Sequence, residues 1–556
     1  MRKLAAVFVV LCLFAGIATG TVLYKKYAPT KERINQNILY QAEGDQVALI
    51  LDYELQEEKG LYRGGQSYLP LTWVNDHLNE RFYWDSGESL MVYALPETIV
   101  YADLETMGDS GAPLLVSEGG KIYISLGLVM NYTDIRASAF DGGDVKRVFI
   151  EKSWKPEEVA DIRRAGKVRQ KGGVKSPIVT DAAGGDRVVV LEEMEKWSKV
   201  ATADGHMGYI QNRFLTRTRQ ETPISDFKAP VYKNISLGEK IVMVWHQVTT
   251  REANGNMELL LSSTRGVNVI APTWYALADN EGNFNSLADK SYVEKAHARG
   301  LSVWALVDNF SDNVQTEVLL SSTSTRRKLI ESLMAEADKY GFDGFNLDFE
   351  GIKEEAGVHY IQFIREMSVS CREKGLILSV DNYVPAAYNS FYNRKEQGTV
   401  ADYVVVMAYD EHFAGGEPGS VSSIDYVNKG IADTLDLVPK EKLIGGVPFY
   451  TRLWTEKDGE VTSKAMGIFA AQEWITQNGM KLSWQNDLGQ SYGQLENDDG
   501  VNYLWMEDKR SLELKMNLIR DYSLAGVACW KLGLETADVW DVVTWGLRPG
   551  DTKEPS

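Results

Sequence analysis

Gly341-Phe342-Asp343-Gly344-Phe345-Asn346-Leu347-Asp348-Phe349-Glu350 sets polar and acidic residues at alternate positions inside an apolar run. Side chains alternate faces along a β-strand, so Asn346, Asp348 and Glu350 are predicted to point one way and Phe345, Leu347 and Phe349 the other. A surface strand with scattered acids is a poor fit, because the three apolar residues demand burial on one side. Carboxylates on the other side of a buried strand are costly unless they line a site. Two carboxylates held side by side repel, so one keeps its proton near neutral pH. That leaves a general acid beside an ionised carboxylate, the pairing used in glycoside cleavage.

Outward from this stretch, apolar β runs alternate with helical patterns from Lys240 onward, the signature of a parallel α/β barrel. Eight strands are predicted: Ile241–Val248, Val267–Trp274, Leu301–Asp308, Phe345–Glu350, Leu376–Tyr383, Tyr403–Tyr409, Leu443–Tyr450 and Gly526–Leu532. Leu329, Ile330, Leu333, Met334 and Ala337 form the apolar stripe of one intervening helix, and Tyr360, Ile361, Ile364, Met367 and Cys371 that of another. About 455–502 is too long for a plain loop and is expected to be a small inserted subdomain forming one wall of a cleft. Sites in such barrels lie at the C-terminal ends of the strands. Asp308, Asn309, Asp381, Asn382, Tyr383, Met407, Tyr409, Asp410 and Trp530 collect at those ends.

The acidic stretch resembles the signature of glycoside hydrolase family 18, the chitinase-like family, whose pattern is Asp-x-x-Asp-x-Asp-x-Glu on the fourth barrel strand. Asp343, Asp348 and Glu350 match, and Asn346 stands in place of the second acid. That replacement is similar to a variant in the bacterial cell-wall and spore-associated branch. The resemblance covers most of residues 240–546. It implies catalytic roles for Glu350, Asp348 and Tyr409. Glu350 would protonate the glycosidic oxygen, and Asp348 would hold the substrate's 2-acetamido group. The acetamido carbonyl would attack the anomeric carbon, with retained configuration. Tyr409, in Met407-Ala-Tyr-Asp410, would bond the acetamido carbonyl. Asp343, Asn346, Met407, Asp410 and Trp530 would complete the substrate-binding set, with Trp530 as the floor under the reacting sugar. Asn346 is expected to hydrogen-bond Asp348 without adding charge, letting Asp348 ionise more readily. The chemistry uses carboxylates and the substrate's own amide, so no cofactor is implied.

The 556-residue chain is long enough for several domains. Its net charge of −19, from 59 basic and 78 acidic residues, argues against nucleic acid or anionic lipid as charge-selected partners. Cys12, Cys371 and Cys529 allow at most one intradomain disulfide, and none is expected; no Cys/His cluster has metal-site spacing. Arg2 and Lys3 precede an uncharged run, Leu4–Leu23, followed by Lys25 and Lys26. The run is long enough to span a bilayer, while Gly16, Ala18 and Gly20 also offer a signal-cleavage site; either reading exports the chain.

Between this 1–30 segment and the barrel lie two β-rich regions. Residues 36–150 resemble the copper amine oxidase N-terminal-like module on Tyr68-Leu-Pro-Leu, a helix over Val74–Asn79 and Phe82-Tyr-Trp-Asp85, with no copper or oxidase chemistry implied. Residues 165–217 are similar to bacterial SH3-like domains, on Gly184-Gly-Asp-Arg-Val-Val-Val-Leu191, Trp197-Ser-Lys-Val200 and an Asp204-Gly205 hairpin turn. Such domains often attach to cell-wall peptides. A linker over 223–239 precedes the barrel. The predicted fold class is thus α/β: a (β/α)8 TIM barrel behind two small β-rich domains and an N-terminal membrane or signal segment. The function this implies is an exported, wall-associated hydrolase of β-1,4-linked N-acetylglucosamine glycans, with peptidoglycan or spore cortex preferred over chitin. The alternatives are a noncatalytic chitinase-like carbohydrate-binding protein and a structural protein of the envelope.

Overall fold

A computed structural model describes residues 2–545. The polar terminus Pro549–Ser556, expected to fray, lies outside the described residues. The described residues divide into two compact units, one of residues 2–84 and 101–229, the other of 85–100 and 230–545.

The first unit opens with a helix, Arg2–Tyr27, none of whose apolar window is buried; Ala5–Tyr27 is long and apolar enough to cross a membrane. Next comes a seven-stranded sheet built around a parallel pair, Gln46–Leu51 and Lys146–Glu151, with Val47–Ile50 fully buried. Its short helix is Leu71–His77 rather than 74–79, and seats Trp73 and Val74 in the core. A second seven-stranded sheet runs from Glu157 to Glu221, wider than the predicted 165–217. Its hairpin Trp197–Thr202/Met207–Gln211 turns at Gly205, whose φ of 75° suits glycine.

In the second unit eight parallel strands close on themselves among the described residues: β1 Ile241–His246, β2 Val269–Leu277, β3 Ser302–Asp308, β4 Gly344–Asp348, β5 Ile377–Tyr383, β6 Tyr403–Met407, β7 Leu443–Pro448 and β8 Gly526–Trp530. Closure is direct, since β1 pairs with both β2 and β8. Alternate residues split between two cores, as the two-residue period of a strand requires. Ile241, Met243 and Trp245 point into the barrel with Val405, Met407 and Tyr409, while Val242 and Val244 face the helices. On β4 the outward face is Phe345 and Leu347, with Phe349 just beyond; the Phe349 ring stacks on Tyr360 at 5.4 Å and on Phe363 at 5.7 Å. Both ring partners of Phe349 belong to α2 Gly357–Lys374, and α1 Thr323–Tyr340 packs beside it. The two predicted helical stripes are buried throughout.

Further boundaries differ from expectation. The insertion runs from Tyr450 to Met506, a five-stranded sheet with the helix Ile468–Asn478, because the chain turns straight from β7 into the sheet's first strand. Residues 85–100, predicted within the 36–150 module, belong instead to the barrel unit. The reason is polar: Asp85 accepts from Thr323 N and Oγ1 at 2.6 and 2.7 Å, and Glu88 accepts from Ser324 N at 2.8 Å. Both acids therefore satisfy open N–H groups at the start of α1, where the helix dipole favours negative charge. The second half of the predicted linker also joins the barrel, with Ile235 N donating to Asp402 Oδ1 at 2.7 Å.

Candidate active site

The strand β4 ends at Asp348, and Glu350 stands two residues beyond its hydrogen-bonded ladder. A side chain in that position depends on loop contacts for its placement, and Asn309, after β3, supplies two. Its Oδ1 accepts Glu350 N and its Nδ2 donates to Glu350 O, both at 2.9 Å. The carboxyl itself is held by Tyr383, at the end of β5, whose hydroxyl donates to Glu350 Oε2 at 2.8 Å and accepts from Gly351 N at 3.2 Å. Burial raises the Glu350 carboxyl above its ordinary range; Tyr383 pulls it back in part, and Asp410 and Asp308 push it further up. A carboxyl whose hold on its proton is strengthened by burial, and which sits at a cavity mouth, is equipped to act as a general acid. The adjoining cavity, about 740 Å³, is lined by Asn309, Phe310, Gln315, Glu350, Lys353 and Tyr383.

Asp348 points into the barrel and is 4% exposed. Its carboxyl is held well above the ordinary range, first by burial and then by the like charges of Asp381, Glu350 and Asp308. Asn346 is wholly buried; its Oδ1 accepts from Trp245 Nε1 at 2.8 Å, and its Nδ2 donates to Asp381 Oδ1 at 2.7 Å and Ser379 Oγ at 3.2 Å. This corrects one expectation. Asn346 spends its amide on Trp245 and β5 instead of on Asp348.

Asp343 is a further correction: it is not at the site. It precedes β4, at the opposite end of the barrel from Glu350, where its Oδ2 accepts Val303 N at 2.7 Å and faces His297 Nε2 at 2.9 Å. A strand carries its residues about 3.3 Å apart, so five residues of β4 separate the two acids by the height of the barrel wall. Asn382, one of the strand-end residues, points outward and exchanges two hydrogen bonds with Gln397.

The remaining predicted residues do gather at the C-terminal mouth. Met407 and Tyr409 are buried in the barrel-interior cluster, with Trp530 packed against it. Trp245 lies edge-on to both aromatic rings, 6.5 Å from Tyr409 and 5.6 Å from Trp530. Burial also holds the Tyr409 hydroxyl protonated well above its ordinary range. Asp410 takes a left-handed backbone, φ 56°, a conformation uncommon for a residue with a side chain and worth notice at a site. Its carboxylate accepts the Tyr450 hydroxyl and lies 4.0 Å from Arg452. Tyr450 and Arg452 are the first residues of the insertion, which thus adjoins the mouth. They and Trp245 were not singled out from sequence: Trp245 sits in an apolar run with nothing to mark it, and Tyr450 and Arg452 reach Asp410 only through folding. Among the described residues, no cluster of three or more His, Cys, Asp or Glu side chains could hold a metal ion.

Comparisons with known proteins bear on the barrel and on the second β-rich sheet. Residues 260–535 match the family model described as Glycosyl hydrolases family 18, and residues 164–216 match that of the bacterial SH3 domain. The chain is 26% identical over 297 residues to the uncharacterized glycosylase YvbX of Bacillus subtilis, covering 51% of this chain and 85% of that protein. It is 26% identical over 302 residues to the cortical fragment-lytic enzyme of Bacillus anthracis, covering 51% of this chain and 70% of that one. Among solved structures, the fold is shared with a chitinase of Chromobacterium violaceum (23% identity, 55% of this chain, 99% of that one, TM-score 0.51). It is shared likewise with the spore cortex-lytic enzyme SleL of Bacillus cereus (21% identity, 59% of this chain, 78% of that one, TM-score 0.51). The barrel belongs to glycosyl hydrolase family 18, and the chain, which also carries a bacterial SH3 domain, is a glycoside hydrolase.

Proposed function

We propose that the chain is an exported hydrolase of β-1,4-linked glycans containing N-acetylglucosamine, with peptidoglycan, including spore cortex, preferred over chitin. The observation that carries the reading is Glu350, held by Asn309 and Tyr383 at a cavity mouth with its carboxyl raised above the ordinary range by burial, beside the buried Asp348. Glu350 protonates the glycosidic oxygen. Asp348 accepts the N–H of the 2-acetamido group, whose carbonyl oxygen attacks the anomeric carbon, and water later opens the ring so formed with retained configuration. Tyr409, its hydroxyl kept protonated, donates to the acetamido carbonyl. Trp530 presents a flat aromatic face to the apolar face of the reacting sugar, with Met407 beneath and Asp410 against its hydroxyls.

Peptidoglycan is favoured by the SH3 domain, which gives the chain a module of the kind that holds wall peptides, and by relatives whose names describe lysis of spore cortex fragments. The apolar helix Ala5–Tyr27, long and apolar enough to cross a membrane, supports export of the barrel as anchor or signal.

The test is release of new reducing ends from purified peptidoglycan, with chitin oligomers in parallel, for the parent and Glu350→Gln. Parent cleavage with loss of about a thousand-fold or more in the variant is expected. Near-normal turnover by Glu350→Gln would sink the assignment, and saturable binding without cleavage by the parent would make the protein a lectin.

A further inference from the structure

The strands β4 and β5 are adjacent and parallel, with Asn346 opposite Ser379 and Leu347 opposite Val380. One residue further, the register brings Asp348 level with Asp381, on strands about 4.8 Å apart. Both side chains fall on the inward face, because their neighbours Leu347 and Val380 belong to the outer core. Asp348 is 4% and Asp381 1% exposed. Asn346 occupies Asp381 Oδ1, yet Asp381 Oδ2 and Asp348 Oδ1 are both enclosed and have no hydrogen-bond partner.

Buried carboxylate oxygens without a donor are costly and call for an explanation. Two of them on neighbouring strands have a simple one: a single proton between the carboxylates satisfies both and removes one of two like charges. We propose that Asp348 and Asp381 share one proton across β4 and β5, making Asp381 the positioning residue that governs the protonation of Asp348. The pair then carries one proton and one negative charge. Burial pushes Asp381 up to about 8, in keeping with a proton held through neutrality. The other titratable groups facing the pair are Glu350 after β4, Asp308 at the end of β3 and Tyr409 after β6. Tyr360 and Tyr392 also act on it from the helical layer, with Arg394 beside them. The carboxyls among them oppose a second negative charge on the pair.

One consequence rests on the function proposed above. When the substrate's acetamido N–H reaches Asp348, the shared proton stays with Asp381 and Asp348 meets the amide as an anion. No proton leaves for solvent, and none is taken up.

The test uses the full chain, labelled with 13C at the aspartate side-chain carboxyl, as parent and Asp381→Asn. The substituted amide keeps an oxygen for Asn346 Nδ2, and an unchanged near-ultraviolet dichroism spectrum verifies the fold. The parent should show an aspartic acid signal persisting through neutral pH that is lost in the variant. In parallel, the pH dependence of kcat/KM should move by about one unit or more, with KM changed by no more than about two-fold. Adding Asn346→Asp to the variant returns a second carboxylate beside Asp348 and should restore the parent profile. An aspartic acid signal and pH profile unchanged in Asp381→Asn would overturn the proposal. Should the parent cleave no glycan, the hydrolase reading fails by itself and the carboxyl titration still decides whether the pair exists.

Discussion

Tyr383 does to Glu350 what no other residue in the site does: it donates a hydrogen bond to the ionised form. Stabilising a carboxylate lowers its pKa, so removing the donor raises it. Tyr383→Phe should therefore move the basic limb of the pH–rate profile upward by about one unit, because a general acid works only while protonated. A downward shift, or none, in kcat/KM against pH would show that Tyr383 serves another purpose. Asn309 is the companion at this scale. It fixes the Glu350 backbone and leaves the carboxyl alone, so its replacement by alanine should lower kcat with little movement of the limb. Both residues were visible in the sequence as polar ends of strands. Their assignment to Glu350 was not, because the pairing spans separate βα loops.

Between elements, the packing of α1 on α2 contains a buried ion pair. Arg326 Nη2 lies 2.8 Å from Glu366 Oε1, with side chains 0% and 1% exposed; the guanidinium also donates to Leu320 O and Thr323 Oγ1. Breaking such a pair from one side strands a charge in a dry interior, at a cost of about 3–5 kcal/mol. Arg326→Met should therefore lower the denaturant midpoint of the barrel strongly, while replacing both partners by apolar residues should recover much of the loss. Equal destabilisation by the single and double variants would show that the hydrogen bonds to Leu320 and Thr323 matter more than the charge. The same helix depends on Asp85 and Glu88 for its N-terminal hydrogen bonds. A fragment beginning at Pro230 lacks both, and Asp85→Ala in the intact chain should cost about 1 kcal/mol, as for loss of a helix cap.

At the scale of the whole molecule, the cluster of acids in the barrel couples stability to pH. Asp348, Glu350, Asp381 and Asp308 all have their pKa values raised by burial, so between the ordinary carboxylate range and the raised values the folded state binds more protons than the unfolded one. Stability then falls as pH rises through that window, and is fully retained below it. For Asp381 the window runs from about 4, the ordinary aspartate value, to about 8. The melting temperature of the barrel should be higher at mildly acid than at mildly alkaline pH, and Asp381→Asn should narrow the difference. A melting temperature that rises steadily with pH across this range would contradict the burial of these groups. A barrel that trades stability for a protonated acid is the pattern expected where a site stores its chemistry in buried charge.

The βα alternation from Lys240 onward determined the barrel, because a parallel strand buried on both faces must read as a short apolar run followed by an amphipathic helix. The same logic placed Asn346 and Asp348 inside it: a two-residue period survives any packing. Loop residues obey no such period, so Glu350 was assigned to the strand it in fact lies beyond. Asp343 fell on the wrong end of the barrel for a related reason, since a motif records spacing along the chain and not the height at which the strand begins. Tertiary structure alone decided that Asn346 turns to Asp381, that Tyr450 and Arg452 return from the insertion to Asp410, and that residues 85–100 join the barrel. Each of these is a contact between strands, loops or segments distant in sequence, formed because a buried donor, acceptor or charge must find its partner in space.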